Sequence, residues 1–222
     1  MINFSNTFRV LGIMLLTSLP LNLVQAVDSP EEMASDQLIR LLNGIGGMSA
    51  HFQQQVKNAN GEEIQRTQGL MKLKRPGKFY WYTQIPFEQK ITSDGKRMWI
   101  YDIDLEQVII QDVAREPGQT PANLLSGEPE MVVQGFKVSV RELSGGITHF
   151  NLQSRQNKAL FVNLALQFKQ KMLVFMRVTD KLSQVTQVRF TDVALNPSFS
   201  ENTFSLSFSE GLDIIDNSQA VN

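Results

Sequence analysis

Few side chains in this sequence could do chemistry, and their spacing argues against most of it. The two histidines, His51 and His149, lie far apart, and neither has a second donor at metal-ligand spacing. His51 sits among Ser49, Phe52 and Gln53 and reads as a surface or structural residue. The absence of cysteine excludes a thiolate metal site, a disulfide scaffold, a Cys nucleophile and a lipidated cysteine. No GxSxG, HExxH or Walker A pattern occurs. Asp102, Asp104 and Glu106 alternate near a turn, and a solvated turn explains them better than a calcium site. We therefore expect neither a catalytic residue nor a metal or cofactor, and read the chain as a non-enzyme.

One polar residue stands out. In Met71-Lys72-Leu73-Lys74-Arg75, period two puts the lysines on one strand face and Arg75 on the other, with Met71 and Leu73. A guanidinium cannot shed its charge there and must find acceptors. Helix ends and loops offer unpaired carbonyls. The alternative is an arginine at a strand end that reaches back to water.

The elements that position these residues are mostly strands. Residues 1–26 carry one charge, Arg9, and no acid. Their apolar run is broken by Pro20 and Asn22, and Val24-Gln25-Ala26 has the small-x-small form of a cleavage site. This reads as a secretory signal peptide rather than a short transmembrane anchor, since the broken apolar run is too short to span a bilayer, and we expect one domain over 27–222. Ser35-Asp36 can cap a helix with Leu38, Leu41, Leu42 and Ile45 on one face, ended by Gly44, Gly46 and Gly47. Period two then predicts strands at 49–57, 63–75, 78–83, 87–93, 97–102 and 107–113, with hairpin turns at Asn60-Gly61 and Asp94-Gly95. A short helix over 121–127 follows, then strands near 135–142, 147–153, 160–168, 172–179, 184–193 and 203–208.

About 11 antiparallel strands and two short helices make a mainly β protein, an incomplete barrel or strongly curved sheet. Such a sheet must fill its concave side with side chains, a helix or a ligand. Phe79 and Trp81 share one face of their strand, with Tyr80 and Tyr82 on the other, and Met98–Tyr101 is apolar on both faces. Met71, Leu73, Phe79, Trp81 and Trp99 are the candidate lining of a hydrophobic cavity, and Leu124 and Leu125 belong to the helix over it. The chain has 21 Lys+Arg and 22 Asp+Glu, with no long run of either sign. That balance gives no reason to expect nucleic acid as a partner.

The run Gly69–Trp81 (GLMKLKRPGKFYW), with Ser93-Asp94-Gly95-Lys96 and Met98-Trp99-Ile100-Tyr101, resembles the LolA family of periplasmic lipoprotein carriers. Weaker matches are the signal peptide and first helix, Thr120-Pro121 with Leu124-Leu125, and Phe204, Phe208 and Gly211-Leu212. The related LolB receptor is itself a lipoprotein, so the missing cysteine favours LolA. The chain departs from the family pattern at Lys72 and Asn123, where apolar or aromatic residues are common. The resemblance implies an incomplete antiparallel β-barrel with helices as a lid over a hydrophobic cavity. It implies a monomer in the periplasm that does not span a membrane. It would accept acylated lipoproteins from the inner-membrane transporter LolCDE and deliver them to LolB. It also implies that Arg75 bonds the lid and favours closure, and that Phe79 and Trp81 line the cavity. A periplasmic lipid-binding sensor module on the same fold is the alternative.

Overall fold

The computed structural model describes residues 29–113, 125–155, 161–208 and 211–218. The expected signal peptide lies outside them, as do Leu124 and most of the expected 121–127 helix; Leu125 and Ser126 are described and helical.

Helix α1 spans Pro30–Asn43. It starts earlier than Ser35-Asp36 suggested because Ser29 and Glu32 form a capping box, with Pro30 in the first turn. The Glu32 amide donates to Ser29 Oγ (3.2 Å), and the Ser29 amide donates to Glu32 Oε2 (2.7 Å). Ala34, Leu38 and Leu42 form its buried face.

The strands are β1 (Gly47–Lys57), β2 (Glu63–Lys74), β3 (Lys78–Ile85), β4 (Gln89–Asp94), β5 (Arg97–Asp102) and β6 (Gln107–Asp112). After helix α2 (Pro129–Gln134) come β7 (Phe136–Leu143), β8 (Ile147–Ser154), β9 (Phe161–Lys169), β10 (Met172–Asp180) and β11 (Val185–Leu195). A 3-10 turn at Glu201–Phe204 and a last strand, β12 (Asp213–Asp216), complete the chain. All join one open sheet of 12 strands, ordered β12-β6-β5-β4-β3-β2-β1-β11-β10-β9-β8-β7. Every described pairing is antiparallel except β12 on β6.

The expected strand at 203–208 is not one. Residues 203–204 end the 3-10 turn, and 205–208 pair with no strand. This segment is a strap across the outer face of the sheet. The Glu201–Phe204 turn lies against β3 and β4. Phe199 and Phe204 meet edge to face at 5.2 Å, and Phe199 passes over the outward side of Gly47, where an added Cβ would stand 3.2 Å from its ring. The strap then delivers β12 to β6. Asn196, at φ 52°, starts it: its Oδ1 accepts from the Gly47 amide (2.9 Å), and its Nδ2 donates to the Gly44 carbonyl (3.0 Å).

Directly opposed residues share a face, so register assigns every side chain. The row Ala50–Met71–Trp81–Ile91–Ile100 faces the concave side, where α1 packs. Leu38, Leu42 and Ile45 join Phe52, Leu73, Phe79, Phe150, Phe168 and Met176 in one buried core there.

Candidate functional site

At one end of the concave face Arg75 meets the segment 125–127, and at the other lies an open cleft. Arg75 follows the last residue of β2. Its backbone amide donates to the Gly46 carbonyl (2.9 Å), which fixes the turn against the end of α1. Its Nη1 donates to the Gly127 carbonyl at 2.7 Å, in the segment between the helical residues Leu125–Ser126 and α2. The Gly77 amide donates to the Ser126 carbonyl (2.9 Å), a second bond between the same two segments. Burial lowers the Arg75 pKa to about 10, against the opposing pull of Glu128 and Glu130. The guanidinium therefore remains charged near neutral pH, and its Nη1 bond is a charge-assisted one. Its Nε is buried with no partner. On the far side, Asn43 Nδ2 of α1 donates to Glu130 Oε1 of α2 (3.1 Å), and Leu125 is buried in the core.

Below this closed end a cleft of about 530 Å³ opens. Trp81 and Ile91 form apolar wall, Thr67 and Thr83 lie beside them, and Phe87 and Leu105 stand at the rim, 70% and 69% exposed. Trp81 is itself only 6% exposed and packs on Phe52 with ring centroids 4.2 Å apart. Gly69, opposite Phe52, is required here, because a Cβ would stand 1.8 Å from the Tyr82 carbonyl oxygen. Among the expected cavity residues, Trp81 reaches the cleft. Met71, Leu73 and Phe79 lie deeper, buried in the same core cluster that α1 packs into.

Trp99 does not join them. The row Lys72–Tyr80–Thr92–Trp99–Ile110 faces outward, so Trp99 stands on the side opposite Trp81. Sequence parity separated Met98 from Trp99 without saying which face was concave, because both are apolar. The back is apolar there because part of it is covered: Thr92 is 0% exposed on the strap side. Sequence reasoning missed Phe52, Ile91, Phe87 and Leu105. Leu105 lies between strands, where no periodicity marks it, and Phe87, expected to open a strand over 87–93, instead precedes β4.

The chain thus forms one open sheet curved around apolar side chains, with Arg75 bonded to the segment 125–127 at one end of the concave face and a partly apolar cleft at the other. No group of His, Asp and Glu among the described residues could hold a metal ion. No described helix is long and apolar enough to cross a membrane. The sequence profile "Outer membrane lipoprotein carrier protein LolA" matches residues 43–207. An outer-membrane lipoprotein carrier protein of Hahella chejuensis is 38% identical over 197 residues, covering 86% of this chain and 94% of its own. One of Pseudomonas fluorescens is 34% identical over 207 residues, covering 93% and 99%. The chain belongs to the LolA family. In fold alone it is also similar to an uncharacterised conserved protein of Thermus thermophilus, with TM-score 0.53 at 12% identity over 82% of this chain and 99% of that one.

Proposed function

We propose that the protein carries acylated lipoproteins across the periplasm, accepting them from LolCDE at the inner membrane and passing them to LolB. The observation that carries this reading is the Arg75–Gly127 latch over an apolar concavity whose wall, at Trp81, is shared between the buried core and the open cleft. Acyl chains entering at the cleft would extend along Trp81 toward Met71, Leu73 and Phe79 as α1 and the lid segment move off the sheet.

Energetics favour such a device. One C16 chain contributes roughly 12 kcal/mol if wholly buried, at ~0.8 kcal/mol per CH₂. Three would exceed the practical affinity ceiling of about 18–21 kcal/mol and could not be released. A carrier therefore binds acyl chains at the expense of a favourable closed state. Here that state is the latched lid: cargo opens it, and reclosure over Met71, Leu73 and Phe79 drives release. The cycle makes and breaks no covalent bond. The test is release of lipoprotein from spheroplasts by the purified mature chain, followed by transfer to membranes bearing LolB. Release with transfer supports the reading; failure to release any lipoprotein overturns it.

A further inference from the structure

The outer face of β7–β11 lies away from both the cleft and the strap, and register lays out its side chains in three rows. Across the five strands these read Arg141–His149–Gln167–Phe175–Arg189, then Ser139–Asn151–Ala165–Arg177–Gln187, then Lys137–Gln153–Asn163–Thr179–Val185. The alternate rows, such as Val138–Leu152–Leu164–Val178, are core. The outward rows hold Lys137, Arg141, Arg177 and Arg189 and no carboxylate, in a chain of net charge −1. Asp192, at the bulge in β11, faces His51 of β1 instead (3.1 Å).

At the β7–β8 edge, Ser139, Val140, Arg141, His149 and Asn151 line a depression of about 250 Å³. Ser139 Oγ donates to the Asn151 carbonyl (3.4 Å), and the other polar groups present donors. Gln167 Nε2 lies 3.3 Å from His149 Nδ1 and donates to it, which leaves the imidazole proton on Nε2. Asn151 Oδ1 accepts from Asn163 Nδ2 (2.9 Å), which leaves the Asn151 amide nitrogen free to donate. Arg141 has no carboxylate partner among the described residues. Oriented donors with an unpaired guanidinium suit a phosphate group.

We propose that this face docks on the headgroup phosphates of an anionic phospholipid bilayer, with one phosphate seated between Arg141, His149 and Asn151. The spacing favours a bilayer over a single small anion. Arg141 and Arg189 are four strands apart, roughly 19 Å at about 4.8 Å per strand, so one phosphate cannot meet both while a surface of repeating phosphates can. Contact there is electrostatic, reversible and screened by salt. It leaves the cleft on the opposite face free, so docking and cargo binding are independent.

The experiment is cosedimentation of the mature chain, without cargo, with vesicles of equimolar phosphatidylglycerol and phosphatidylcholine, and with phosphatidylcholine alone. We expect salt-sensitive binding to the first and none to the second. Each of Arg141→Gln, Arg177→Gln and Arg189→Gln should weaken it roughly fivefold, with circular dichroism unchanged. Inorganic phosphate should move the His149 and Asn151 side-chain resonances of the wild type and not those of Arg141→Gln. Absence of vesicle binding overturns the proposal, even if phosphate alone binds at His149. So does equal vesicle binding by wild type and a variant that combines Arg141→Gln, Arg177→Gln and Arg189→Gln.

Discussion

Replacing Arg75 by leucine isolates the latch. The substitution removes the 2.7 Å bond from Nη1 to the Gly127 carbonyl and leaves the backbone bond from Gly77 to Ser126 in place. A hydrogen bond from a charged group contributes about 1.5–3 kcal/mol, which is ten- to over a hundredfold in a closed–open equilibrium. The buried, unpartnered Nε already disfavours the closed state, so the lower end, about tenfold, is expected. The Gly77 amide reports the opening directly, because its acceptor is in the lid segment. Its hydrogen exchange should accelerate about tenfold in Arg75→Leu, while amides at the centre of the β1–β2 ladder keep their protection. In the transfer assay, Arg75→Leu should accept lipoprotein as well as wild type or better, yet deliver it poorly to LolB. Arg75→Lys, which keeps the charge but loses the planar fork, should be intermediate. Unchanged exchange at Gly77 together with wild-type transfer would refute the latch.

Three further outcomes are expected. Trp81→Glu puts a charge at a 6% exposed position against Phe52, so it should strongly reduce lipoprotein acceptance; Tyr80→Glu, on the outer face, should reduce it much less, with circular dichroism checking that both variants fold. Gly69→Ala forces backbone movement at the Tyr82 carbonyl and should destabilise by about 2 kcal/mol or more in urea titration, whereas Gly135→Ala, at φ −76° with the nearest atom 4.0 Å from the added Cβ, should cost less. His149 is held below the ordinary 6.5 by burial first, then by Arg141 and Arg177. The unfolded chain thus takes up this proton more readily than the folded one. Stability from this residue is therefore lost as pH falls through 6.5 toward the folded value, and Arg141→Gln with Arg177→Gln should raise the midpoint of an NMR titration.

Much of the sheet was legible because its strands alternate cleanly around turn residues such as Asn60-Gly61 and Asp94-Gly95. The shared face of Phe79 and Trp81 followed from the same parity. Parity cannot name the concave face where both sides are covered, and Trp99 was misplaced for that reason. In Thr203–Phe208, alternation reflects one side of a strap resting on the sheet, not a paired strand. The four-residue β12 is held by parallel pairing to β6, a partner more than a hundred residues earlier, and carries acids at both ends with no alternation. The true start of α1 was written in Ser29-Pro30-Glu31-Glu32, a capping box with proline in the first turn; Ser35-Asp36 only imitates one.

Carriage of acylated protein is tested most directly by isolating the native protein from the periplasm and weighing it intact by native mass spectrometry. A species heavier than the mature chain by one acylated lipoprotein, lost in Trp81→Glu and retained in Arg75→Leu, is the expected result. Bound free lipid alone, or no bound species under conditions that preserve other lipoprotein complexes, would contradict it.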